Sequence, residues 1–462
     1  MAKRTRIDCG WIVSVDPKIG EIKDGSILIE EDRIVEISKT QDVAADEVID
    51  APSMIAMPGL INAHIHTWQT GLRAIGSDWI SSDYHKNMHS NIATKFTAED
   101  MFLGNLFGGL RQIENGVTSV FDWCHGIRDL EMTDRALDGL EESGIRAVFG
   151  HGTAKAPTYE GEVPYTHVPH PIERLNHLRQ NRLHNDDGLI TLAMAILGPD
   201  FGTFDVAVAD LKLAKELDLL STAHVWRGYN QNVPEDANIR DAYIRLGELG
   251  LLSPKHNIVH GNYLLEDQVR YALEKGCTVS STVLCEIHGH GAYPLVGIVR
   301  DFGAMPSIGT DTNTLVTDDM FAEMRGALYT HRFQIAQNKR ETGDYPLTTM
   351  SINSREALEW ATIGGAKAMC IDDRTGSLTP GKKADIVFLN GEDSNMFPVH
   401  DPVFSVVEHG TIANVEHVMV NGEFLKRDGK LLYPADKYVD LKTKIAASAD
   451  RLMAEGNYRP VA

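Results

Sequence analysis

The chain has 462 residues, 43% of them hydrophobic and 24% charged, which excludes a disordered or fibrous polymer and leaves length for two or three structural units around a large core. Lys and Arg total 44 against 65 Asp and Glu, a formal net charge of −21. That balance sets the surface against nucleic acid phosphates and anionic membranes and favours a neutral or cationic small substrate.

Five cysteines without a C-x-x-C pair do not read as a disulfide framework and fit a reducing, cytoplasmic setting. The first six residues are basic, but Ile7-Asp-Cys-Gly-Trp-Ile interrupts any apolar signal core. No run approaches the ~18 apolar residues of a membrane helix, so neither export nor a membrane span is expected.

Residues 1–58 alternate apolar and polar side chains in short runs (11–15, 25–37, 47–50), a pattern that predicts half-buried strands. The texture returns in 384–390 and 415–425, within 373–433, each run bounded by Gly, Asp or Asn. Both ends of the chain are therefore expected to build one small β-sandwich.

Between them, β-rich runs recur eight times: 59–64, 117–123, 145–150, 189–196, 220–225, 257–261, 277–283 and 305–311. Stretches of helical period separate them, among them 98–115, 129–143, 205–217 and 264–275. This alternation over 59–372 predicts an α/β fold, a (β/α)₈ barrel. A doubly wound sheet is the competing architecture, but no glycine-rich phosphate turn follows the first strand. The tail, 434–462, carries a helical pattern over 436–455 that suits docking on the body or on another subunit.

In His64-Ile-His66 the two-residue period of a strand sends both imidazoles to one side, which in a barrel is the interior near the catalytic rim. His224 closes the fifth run, His260 the sixth and Asp311 the eighth. A lone strand-end histidine is usually a hydrogen-bonded structural residue. Four imidazoles and a carboxylate at strand ends together point to a divalent metal site. Aromatic residues also follow strand ends, and Trp68, Trp123, Trp226 and Tyr293 are expected to line an apolar substrate pocket, while Trp79 and Tyr229 pack loops.

Pro58-Gly-Leu-Ile-Asn-Ala-His-Ile-His, Val259-His-Gly, Ile308-Gly-Thr-Asp-Thr and Gly376-Ser-Leu-Thr-Pro-Gly-Lys-Lys-Ala-Asp-Ile-Val together resemble the metal-dependent amidohydrolases. The branch they resemble holds cytosine and guanine deaminases and triazine hydrolases, and the likeness spans nearly the whole chain. It implies that His64, His66, His224 and Asp311 hold one divalent ion (zinc, iron or cobalt) with a water in the open position. Asp311 would also be the general base, and His260 would contact the water or the substrate. Two-metal members usually carry a carboxylated lysine at the fourth strand end, where this chain reads Ala195-Ile-Leu-Gly-Pro-Asp, so a mononuclear centre is expected. The resemblance also implies a homo-oligomer.

Two segments depart from that pattern. Deaminases of the branch have a glutamate in H-x-x-E, whereas this chain reads His224-Val-Trp-Arg227, and a guanidinium does not release a proton near neutral pH. Where many show Cys-Pro-x-Ser-Asn, this chain has Val283-Leu-Cys-Glu-Ile-His-Gly-His, making Glu286 and His288 candidate proton donors to a leaving group. The expected reaction is hydrolysis of a carbonyl C–N or C–S bond in a small uncharged amide, urea, carbamate or thiocarbamate, xenobiotics included. Deamination of a purine, pyrimidine or related heterocycle is the second reading, and a non-catalytic barrel the third. No nucleic acid or membrane partner is expected.

Overall fold

The computed structural model describes residues 2–39, 43–225 and 239–458. Eight parallel strands form the barrel: β1 (Leu60–Ile65), β2 (Val117–Cys124), β3 (Arg146–His151), β4 (Ile190–Ile196), β5 (Leu220–Val225), β6 (His256–His260), β7 (Thr278–Ser281) and β8 (Ser307–Ile308). They pair in sequence order. Every residue of β1 to β6 is buried, as a parallel sheet covered on both faces requires.

The ring closes where the chain beyond β8 returns to β1. The Asp311 N–H donates to the His64 carbonyl (2.9 Å) and the His66 N–H to the Asp311 carbonyl (2.8 Å). Closure therefore joins, by backbone alone, three residues singled out in the sequence.

The amphipathic stretches are helices α1 (Ala98–Glu114), α2 (Leu130–Ser143), α3 (Phe204–Glu216) and α4 (Glu266–Glu274), followed by α5 (Met320–Thr342) and α6 (Ala435–Glu455). Thr97 and Asp100 form a reciprocal cap at the start of α1, satisfying backbone N–H groups that the helix leaves unpaired.

The terminal strands expected to make a sandwich are hydrogen-bonded as one eight-stranded sheet. Glu47–Pro58 pairs antiparallel with Ile386–Asn390, setting Met57 opposite Val387, and Ile7, Ile27, Ile34, Phe388 and Met419 fill a separate core. The Arg146 guanidinium at the start of β3 meets the Asp385 carboxylate at the joint between the two sheets.

The tail docks on the body of the same chain. Leu441 and Ile445 of α6 pack on Leu103, Leu106 and Leu110 of α1. Ser448 Oγ donates to Asp100 (2.5 Å), and Arg451 pairs with the same carboxylate. Beyond the helix, the Gly456 carbonyl accepts from Asn91 Nδ2 (2.7 Å) and the Tyr458 hydroxyl donates to the Ile75 carbonyl (2.7 Å), so the tail braces the long loop after β1. Among the described residues no helix is long and apolar enough to cross a membrane.

Candidate metal centre and its cavity

Strand alternation places His64 and His66 on one side of β1, and their Nε2 atoms lie 3.4 and 3.2 Å from Asp311 Oδ1. His224 Nε2 from β5 is 3.2 Å from His64 Nε2, and His260 Nε2 from β6 is 4.0 Å from Asp311 Oδ2. One ligand atom each from His64, His224, His260 and Asp311 falls within a span of 4.8 Å. Donors around a four-coordinate zinc ion are about 3.3 Å apart by its bond lengths, so these groups need only small movements to close on one ion.

Two of these residues adopt a left-handed backbone, His260 at φ 67° and Asp311 at φ 60°. Non-glycine residues pay conformational energy there, and such positions cluster at functional sites.

Burial holds the His64 imidazole down to about 3 and that of His260 to about 4, and keeps His224 well below its ordinary value, so all three are neutral near pH 7. Burial alone would raise the Asp311 carboxyl, but the close imidazoles of His64 and His66 hold it well below the usual carboxylate range. His66 Nδ1 is 2.7 Å from the Trp123 carbonyl, which can only accept. Nδ1 therefore carries a proton, and Nε2 is the ring atom turned to the carboxylate. Among the described residues His64 Nδ1 and His224 Nδ1 are buried without a hydrogen-bond partner, so these contacts leave the two rings incompletely satisfied. A buried set of lone pairs turned on one another and on an anion fits a divalent cation.

The other predicted site residues divide sharply. Glu286 is fully buried and takes a backbone N–H from Thr282 at Oε1 (2.8 Å), the same oxygen that lies 3.2 Å from His260 Nδ1. It touches His260 rather than the open cavity. His288, two residues on, is exposed, because the wide turn over Glu286–His290 separates their directions. The structure therefore withdraws His288 from the centre.

Of the aromatic residues, Tyr293 is 74% exposed, and its carbonyl accepts from Asn262. Trp68 is buried behind the site against Phe96 and His125 (ring centres 5.0 and 5.5 Å away). The tight turn Thr67–Leu72 rotates it off the rim. Helix α1 then closes over it so tightly that a Cβ on Gly104 would lie 2.4 Å from the Trp68 carbonyl oxygen. Trp123, also buried, backs the imidazoles with its ring 3.9 Å from that of His224. The expected pocket roles of Trp68, Trp123 and Tyr293 are thus replaced by core packing, support and surface. Trp226, Arg227 and Tyr229 lie outside the described residues.

Sequence reasoning missed most of the cavity wall, which includes Tyr84, His89, His125, Lys155 and Cys285. His125 Nδ1 lies 3.2 Å from the Trp123 carbonyl, and its Nε2 is 3.2 Å from His89 Nε2. The Tyr84 hydroxyl is held by Gln69 Nε2 (2.7 Å). The Lys155 ammonium sits 3.6 Å from the Phe201 ring centre, a cation–π contact. Their one available signal is position: each follows a barrel strand on the side where such sites are built.

A cluster of imidazoles and a carboxylate on the C-terminal rim of an eight-stranded barrel defines a class, the metal-dependent hydrolases. Residues 55–425 match the model of the amidohydrolase family, and the chain belongs to that family, enzymes that hydrolyse carbon–nitrogen and related bonds. The chain is 25% identical over 448 residues to a 5'-deoxyadenosine deaminase of Methanosarcina barkeri, covering 91% of this chain and 92% of the relative. It is 26% identical to a 5-methylthioadenosine/S-adenosylhomocysteine deaminase of Halobacterium salinarum, covering 94% and 95%. Among solved structures, an adenosine deaminase from Xanthomonas campestris with bound zinc shares the fold at TM-score 0.82 and 21% identity, over 97% of this chain and 98% of that one. An atrazine chlorohydrolase from Arthrobacter aurescens TC1 complexed with zinc does so at 0.81 and 20%, over 96% and 100%.

Proposed function

We propose that the enzyme cleaves the carbonyl C–N or C–S bond of a small uncharged amide, urea, carbamate or thiocarbamate. The observation that carries this reading is the buried convergence of His64, His224, His260 and Asp311, with His66 beside them. His64, His66, His224 and Asp311 would hold one divalent cation, which when bound supplies the Lewis acidity that lowers the pKa of a water and polarises a carbonyl. Zinc, iron and cobalt all suit imidazole and carboxylate donors.

The two oxygens of Asp311 face different groups. Oδ1 contacts His64 and His66, while Oδ2 turns toward His260. Oδ2 takes the proton of the water that attacks the carbonyl carbon. The proton then passes from Asp311 to the departing nitrogen or sulfur, so the site works without the glutamate that Arg227 replaces.

A second reading, deamination of an amino-heterocycle, is favoured by relatives named as nucleoside deaminases. It uses the same attack at a ring carbon and releases ammonia. The net charge of −21 supports a small-molecule substrate and argues against nucleic acid or membrane partners. We read a homo-oligomer and a role in degrading xenobiotics from the family likeness alone, and a cytoplasmic setting from the cysteine pattern.

The test pairs metal analysis with a substrate panel. His66→Ala and Asp311→Asn are expected to lose stoichiometric metal and turnover together, and full metal content in both variants would overturn the site. Amine or thiol release from ureas and carbamates supports the first reading, whereas ammonia from amino-heterocycles alone supports the second.

A further inference from the structure

The imidazoles of the centre differ in what holds their far nitrogens. His66 Nδ1 meets a backbone carbonyl, and the Nδ1 atoms of His64 and His224 have no hydrogen-bond partner among the described residues. His260 Nδ1 lies 3.2 Å from Glu286 Oε1 and 3.1 Å from Thr282 Oγ1. Glu286 is itself fixed from two sides, through the Thr282 N–H at Oε1 (2.8 Å) and Asn262 Nδ2 at Oε2 (3.2 Å). The helical turn that delivers it is anchored in turn: the carboxylate of Glu323, on α5, accepts from the N–H groups of Val283 and Leu284. The strained backbone of His260 is pinned next door, where the Gly261 N–H donates to the Val225 carbonyl (2.6 Å).

Oε1 of Glu286 already accepts from a backbone N–H, and an acceptor oxygen holds the proton of a neutral imidazole on the nitrogen it faces. We propose that Glu286 is a positioning residue that keeps the His260 proton on Nδ1 and so turns the Nε2 lone pair to the point shared by His64, His224 and Asp311. His260 thereby joins His64, His66, His224 and Asp311 as a further donor to the cation, and Glu286 governs how tightly the enlarged set binds. Carboxylates placed this way behind a ligating histidine orient the ring and raise its basicity. The segment carrying Glu286 is one of the two that depart from the family pattern. The inference rests on the metal-centre reading above.

Glu286→Gln can keep an oxygen at the place of Oε1, which faces both the Thr282 N–H and His260 Nδ1, but it removes the carboxylate from behind the ring. Zinc affinity, measured by chelator competition on the full-length protein, is expected to fall about 10- to 100-fold. The visible spectrum of the cobalt-loaded protein should shift, while the melting temperature of the metal-free protein stays near wild type. In a His260→Ala background the same substitution should have no further effect on zinc affinity. Glu286→Asp, with a shorter reach, should fall between wild type and Gln and gives the same readout if the Gln variant does not fold. Unchanged zinc affinity and cobalt spectrum in Glu286→Gln would overturn the inference, as would an equal loss with and without His260. A wild-type protein that binds no stoichiometric divalent cation would overturn the metal-centre reading itself.

Discussion

Arg146 and Asp385 form a fully buried, two-pronged pair, Nε to Oδ2 at 2.6 Å and Nη2 to Oδ1 at 3.1 Å, at the joint between the barrel floor and the outer sheet. Asn421 Oδ1 takes a further bond from Nη2 (3.2 Å). Removing one partner strands a charge away from water, so Arg146→Ala is expected to destabilise the protein by about 3–5 kcal/mol. Denaturant unfolding measures this. Because the joint lies at the end of the barrel opposite the cavity, metal content should not change, and a variant as stable as wild type would show that the pair does not hold the sheets together.

Trp68 sits in the core behind His125 rather than in a substrate pocket. Trp68→Ala is therefore expected to lose about 3–5 kcal/mol of stability, with relative kcat/KM across a substrate panel unaltered. A shift in substrate preference at wild-type stability would return Trp68 to the pocket wall.

Asp210 on α3 is buried, and burial lifts its carboxyl from 3.8 to about 7, although the His170 N–H (2.8 Å) pulls the other way. The folded state thus keeps a proton that the unfolded chain releases near 3.8. This contribution to stability is fully present below that pH and is lost as pH rises through about 7. Asp210→Asn should remove the slope. Urea midpoints from pH 5 to 8 are expected to show the variant gaining on wild type as pH increases, and parallel curves would contradict the assignment.

The Tyr458 hydroxyl donates to the Ile75 carbonyl (2.7 Å) and its ring packs on Trp79. Tyr458→Phe keeps the ring and removes a bond worth about 1 kcal/mol. Amide hydrogen exchange around residues 74–80 should quicken, with the barrel strands unaffected. Unchanged exchange there would mean that the tail does not brace this loop.

Much of this architecture was legible in the sequence because strand and helix periods are local. The two-residue spacing of His64 and His66, and the strand-end positions of His224, His260 and Asp311, carried directly into three dimensions. The cavity wall did not. His89 ends a helical segment of five residues and His125 follows β2 in a loop, neither with a period long enough to read, and the folded barrel brings their rings together. Trp68 shows the converse, since standing two residues from His66 says nothing of direction once a tight turn intervenes. Glu286 and His288 are as close in sequence, yet one is buried and the other exposed. The overall acidity of the chain likewise did not foretell a lysine in the cavity wall, because net charge describes the surface and not the interior.

The outer sheet has a consequence for how the protein is made. Its N-terminal strands leave the ribosome first, but the neighbour of Glu47–Pro58 on one side, Ile386–Asn390, is translated only after the entire barrel. Until then the nascent chain carries an open β edge of the kind that invites pairing with other chains. Synthesis halted before that late strand would leave a sticky fragment, and a chaperone able to shield an exposed edge would matter most during elongation.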